Sequence, residues 1–219
     1  MRLRLYTLAL SACLLAAAGC ATTDSAGRDN RDPDTGAQLF ADMGPHRRTV
    51  TTTSAEAQRY FDQGLTWMYA FNHDEAIRSF TRAAAIDPDC AMAWWGIALC
   101  QGPNYNDPMM TEERSAAAWE ALHEAQARIA NTTPAERALI EALAHRYAYP
   151  EPEDRTHLER AYAEAMAEVW AAYPNDSDVG TLYAEAMMVR TPWMLYALDY
   201  EPAENTPRIV AVLERVLEL

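Results

Sequence analysis

"FDQGLTWMYAFNHDEAIRSFTRAAAIDPDCAMAWWGIAL", residues 61–99, sets aromatic residues against glycine and alanine at regular intervals, then starts over. A single helix pair would own only a core, whereas an array of pairs would also own a groove. Spacing decides between them. Tyr60, Gly64, Trp67, Ala76, Phe80, Ala83 and Pro88 alternate large and small. Two antiparallel helices need that alternation, because small residues let the backbones approach while large ones fill the space around them. Thr53 and Glu56 have capping-box spacing, which predicts a first helix over 53–71. Asn72-His73-Asp74 turns the chain, and a second helix runs over 73–87 until Pro88 stops it.

Trp94 stands 34 residues after Tyr60, followed by Ile97 and Ala98. The order Y-x2-Q-G-x2-W, A-x3-F, P, with this period, resembles the tetratricopeptide repeat. Gln63 departs from it, standing where that family prefers leucine. The fuller pattern FDQGL, FNHDEA and AMAWWG is similar to a group of bacterial tetratricopeptide-repeat lipoproteins. The resemblance implies an all-α fold, a tetratricopeptide-repeat-like α-solenoid of antiparallel helix pairs. It also implies that the first helix of each unit lines a concave side. Phe61, Leu65, Met68 and Tyr69 would face that groove from unit one, and Met92, Trp95 and Leu99 from unit two. Such a groove would take a protein or peptide partner, unless following helices or the N-terminal segment cover it. The Lys/Asn clamp that some family members use on a C-terminal carboxylate is missing here.

Working outward, Gly102-Pro103 ends the helix of unit two, and a loop precedes a helix expected from Thr111. Thr133-Pro-Ala-Glu136 is a second capping box with proline at the first helical position. Helical faces then follow at Leu139/Ile140/Leu143/Tyr147, Leu158/Tyr162/Ala165/Val169, Val179/Leu182/Tyr183/Met187 and Ile209/Leu213/Val216. No stretch alternates at period two, so no sheet is expected. Repeat arrays end on a polar cap, and "VLERVLEL" is not one, so the chain is expected to continue beyond Leu219 or to self-associate through its last helix.

The N-terminus sets the compartment. Arg2 and Arg4 precede an apolar run, Leu5 to Ala18, too short for a stable span, and Ala17-Ala18-Gly19-Cys20 closes it. This resembles the lipobox of bacterial lipoproteins, with Ala17 where leucine is usual. The resemblance implies a signal peptide over 1–19, lipidation of Cys20 and an envelope location, on the periplasmic face of the outer membrane in a Gram-negative cell. Residues 20–50 are polar and punctuated by glycine and proline. They read as a flexible tether to a helical domain over 51–219, with Gln38–Met43 as a segment able to dock on the first helix.

The formal charge is −14, and removal of Arg2 and Arg4 with the signal makes it −16. All 18 basic residues are arginine, and they are scattered, so no patch suits nucleic acid or an anionic membrane face. The lipid would be the only membrane attachment. Cys90 and Cys100 lie about 15 Å apart if one helix carries both, beyond disulfide reach.

Chemistry has few candidates. No HExxH, CxxC, G-x-S-x-G or phosphate-cradling glycine loop occurs, so neither a metal nor a cofactor is expected. His73 reads first as a packed turn histidine and second as a ligand or acid-base group. Asn104, Asn106 and Asp107 lack the glycine and closing glutamate of a calcium loop, which favours a turn. Three functions remain open: a scaffold without chemistry, a glycan binder stacking sugars on Trp95 and Tyr105, and an enzyme completed by a missing C-terminal part.

Overall fold

The structure, a computed structural model, describes residue 32 and residues 35–219. The signal peptide, Cys20 and the tether up to residue 31 lie outside the described residues. Eight α-helices occur among those described: α1 (Ala55–Tyr69), α2 (His73–Ile86), α3 (Ala91–Gln101), α4 (Glu112–Ala127), α5 (Pro134–Ala144), α6 (Thr156–Ala172), α7 (Ser177–Val189) and α8 (Thr206–Leu217). A 3-10 turn, Ile129–Asn131, precedes α5, and no strand forms among the described residues. The fold is all-α, and helices adjacent in sequence pack on one another.

Caps fix the helix starts. Ser54, not Thr53, is the N-cap of α1, with its side chain accepting from the Ala57 amide at 3.2 Å. The expected capping box at 53–56 therefore does not form. Thr53 instead donates its amide to Asp87 across the α2 terminus. The second box is present. Thr133 and Glu136 exchange hydrogen bonds around Pro134, and Glu136 also accepts from the Thr51 amide and hydroxyl at 2.6 and 2.7 Å. Asn72 and Thr111 cap α2 and α4 in the same manner.

Phe80 is the centre of the first three helices. A Cβ placed on Gly64 of α1 or on Gly96 of α3 would come within 2.7–2.8 Å of its ring, so both glycines are seats for one aromatic side chain. Ala76 and Ala83, one turn to either side, are fully buried. Gly180 of α7 does the same between Trp170 of α6 and Val216 of α8. Tyr60 and Trp94, spaced by one repeat, differ in surroundings. Tyr60 is buried, whereas Trp94 is part-exposed, donates to the Pro88 carbonyl and lies under the Arg128 guanidinium.

Residues 35–50, which composition placed in the tether, run along the helices as a strap. Gln63 explains this. It is buried, accepts from the Phe40 amide and donates to the Gln38 carbonyl and Ser79 hydroxyl. A leucine there could hold none of the three. Asp62, one residue earlier, receives the Arg47 guanidinium and the Arg48 amide. Phe40 then meets Trp67 edge-on.

Cys90 and Cys100 are buried free thiols, and burial pushes Cys90 up to about 11 and Cys100 higher still. At α8, Ile209 and Val212 pack inward, while Val210 and Leu217 are exposed. No helix among the described residues is long and apolar enough to cross a membrane.

Candidate functional site

Of the expected groove residues, Phe61, Leu65, Met92 and Trp95 are sealed in the core. They cannot line an open surface, because α1, α2 and α3 close over their own apolar faces. Trp95 is therefore also unavailable for stacking a sugar. Met68, Tyr69 and Leu99 have a different position: they border a cavity of about 520 Å³.

This cavity lies where the ends of α1 and α3 face the side of α7. Phe71 and His73 line it from the α1–α2 corner, and Pro103, Asn104 and Tyr105 from the loop after α3. Asp178, Thr181, Leu182, Glu185 and Met188 recur at helical spacing and present one face of α7 to it. Leu213 and Val216 of α8 close the apolar side, and His46 and Arg146 reach in from the strap and the segment after α5. Most of the wall is apolar. Asp178 and Glu185, seven residues apart, are separated by about 10 Å of helix rise, so the two carboxylates occupy opposite ends.

Asp178 is held by groups from distant parts of the chain. The Tyr69 hydroxyl donates to it at 2.7 Å, the Arg48 guanidinium at 3.1 Å, and His46 Nε2 lies 3.1 Å away. Arg48 also grips Asp176, whose side chain caps α7. The strap thus ties α1 to the start of α7. Burial, then Asp178, pushes the Tyr69 phenol well above its ordinary pKa, which keeps it a donor.

At the other end, Arg146 is 1% exposed. Its Nε lies 3.3 Å from Glu159, its Nη2 lies 3.6 Å from Glu185, and the guanidinium stacks over Tyr162. Arg146 Nε and Nη2, Glu159 Oε2 and Glu185 Oε2 are all buried without hydrogen-bond partners. Arg155 braces Glu159 from outside and also pairs with Glu151. Burial raises the pKa of Glu185, and Arg146 opposes the rise.

His73 touches Phe71 edge-on and faces the cavity from the start of α2. Burial and then the positive charge of Arg114 lower its pKa, so it is a neutral imidazole at pH 7. Asn104 accepts from the amides of Asn106 and Asp107, and Asp107 pairs with Arg114. These three residues build a turn. Sequence reasoning missed Asp178, Glu185 and Arg146. Each is a charged residue on an otherwise apolar helical face or directly after one, which is the signal that could have found them.

No family model matches the chain, and no characterised protein or solved structure matches it significantly.

Proposed function

We propose that the protein is an envelope-anchored lipoprotein with a tetratricopeptide-repeat-like helical domain, and that it binds a segment of a partner polypeptide without chemistry. The compartment rests on the residues around Cys20, and the repeat reading on the 34-residue spacing of Tyr60 and Trp94 with the size alternation of α1 and α2. The binding site is the cavity between α1, α3, α7 and α8, in place of the groove read from units one and two.

The observation that carries this is an apolar cavity of ligand size with an apolar rim outside it. About 520 Å³ is within the range of preformed binding sites. Phe71 at its edge is 51% exposed, and Trp193, 60% exposed, touches the lining residue Tyr105. A small molecule could fill the cavity and leave that rim in water. A polypeptide covers both, burying anchors inside and apolar surface around them.

A photo-crosslinking residue at position 181, in the cavity wall, is expected to capture a discrete envelope protein that the same group at position 141, on exposed α5 surface, does not. Thr181→Trp, which fills the cavity, should abolish capture by a crosslinker at position 193. Equal capture at 181 and 141, or capture undisturbed by Thr181→Trp, would remove the site. Cys20→Ala should release the protein from the membrane fraction, and retention there would remove the anchor.

A further inference from the structure

The chemistry of the buried charges narrows what enters the cavity. Along the row Glu151, Arg155, Glu159, Arg146 and Glu185, three carboxylates share two guanidiniums. The unbalanced member is Glu185, at the inner end of the row. Its side chain is 25% accessible and lines the cavity, whereas that of Arg146 behind it is 1% accessible. Of the two, the glutamate side chain is therefore the more open to a ligand. Its Oε2 is itself buried and has no hydrogen-bond partner.

We propose that the group received here is a basic side chain of the partner, a lysine or arginine. Its charged end meets Glu185, and its methylenes lie against Leu182, Met188 and Leu213. This rests on the cavity being the binding site.

Three alternatives compare badly. A purely apolar side chain would strip the remaining solvent from the Glu185 side chain without offering a donor, leaving its desolvation uncompensated. An acidic one would meet Glu185 and Asp178 with like charge in a site of low dielectric. A neutral hydroxyl would supply a donor but no charge. A cation supplies both, and Tyr69, Phe71 and Tyr105 on the facing wall offer aromatic surface to it.

Protonation supplies an independent handle. The groups facing Glu185 are Arg146 from the segment after α5, Glu159 and Tyr162 from α6, and His73 from α2 across the cavity; α8 brings only Leu213 and Val216. With its pKa raised by burial, Glu185 takes up a proton at a higher pH than an ordinary glutamate. Acidification should therefore weaken a cation more than a neutral ligand.

The test follows the ¹³C ε-methyl resonances of Met68 and Met188, both in the wall, in the full-length protein titrated with n-hexylamine, hexan-1-ol or hexanoate. At pH 8 the amine is expected to bind at least tenfold tighter than the alcohol, with hexanoate weakest. Glu185→Gln should reduce the amine to the affinity of the alcohol and leave the alcohol unchanged, and a wild-type titration at pH 5 should weaken the amine more than the alcohol. A blocked tetrapeptide with a central lysine should shift the same methyls, and its norleucine counterpart should do so at least tenfold more weakly. If the alcohol equals the amine at pH 8, or hexanoate binds best, the cation reading is overturned while the cavity stands. If no probe moves either methyl, the cavity itself is not a site. If the amine binds and neither peptide does, the occupant is a small amine and the polypeptide source is wrong.

Discussion

The helices α1–α3 and the cavity wall on α7 solve opposite problems with similar parts. Around Phe80 every gap is filled: two glycines admit one ring, and alanines flank it. On α7, Gly180 also lets neighbours approach, through Trp170 and Val216, yet one turn further on the chain keeps about 520 Å³ open and puts charged groups beside it. The first region is tight because its residues differ only in size. The second stays open because Asp178 and Glu185 resist an apolar lid, and because their partners Arg48, behind the wall, and Arg146, at its edge, hold them in place. Closure and openness are thus set by which side chains can be satisfied without water.

The largest effect is expected where packing is closest. Phe80→Ala removes a ring that no neighbour can replace and should cost about 3–5 kcal/mol in urea unfolding. Gly64→Ala attacks the same seat by overfilling it, with an expected loss of about 1–3 kcal/mol. In the double variant Gly64→Ala/Phe80→Leu, the new methyl occupies part of the vacated space. Its loss should fall well below the sum of the two single losses. Strict additivity would show that the α1–α2 seat is looser than its 2.7 Å approach indicates.

At the cavity, the sensitive element is charge rather than volume. Arg146→Leu leaves Glu185 without a guanidinium partner and Glu159 with Arg155 alone, and should cost about 3–5 kcal/mol at pH 7.5. Part of that loss should be recovered as pH falls, because burial raises the pKa of Glu185 and Arg146 is no longer there to oppose the rise. Phe80→Ala has no titrating partner nearby and should show no such recovery. A pH-independent loss in Arg146→Leu would mean that its packing over Tyr162 outweighs its charge.

How far each region could be read in the sequence follows from the same contrast. Size alternation is periodic, so Tyr60, Gly64, Ala76, Phe80 and Ala83 announced the α1–α2 pair, and Thr111 and the capping box at Thr133 marked the starts of α4 and α5. All eight helices were legible to within a few residues. The direction of their faces was not. Phe61, Leu65, Met92 and Trp95 look identical on paper whether a groove or a third helix covers them. The cavity joins residues 46, 69, 105, 146 and 185, and no local period connects them. Nor could composition separate the strap from a tether, since its attachment rests on individual side-chain contacts, those of Arg48 with Asp176 and Asp178, of Phe40 with Trp67, and of the strap backbone with Asp62 and Gln63.

The smallest predicted effect compares the two titrating walls of the cavity directly. His73 has a lowered pKa in the folded protein, so between its unfolded value near 6.5 and that lower value the unfolded chain binds more protons. Its contribution makes stability fall as pH falls through this window. Glu185 has a raised pKa, so between an unfolded value of about 4.3 and the raised one the folded protein binds more protons. Its contribution makes stability fall as pH rises. Urea midpoints at pH 5 and pH 7.5 should therefore respond with opposite signs. His73→Gln should shrink the gain in stability on going from pH 5 to 7.5, and Glu185→Gln should enlarge it. Because His73 is partly open to solvent, its share should be less than about 1 kcal/mol. If both variants moved the slope in the same direction, the two walls would share one solvated environment, and the distinction between a neutral imidazole wall and a buried carboxylate wall would fail.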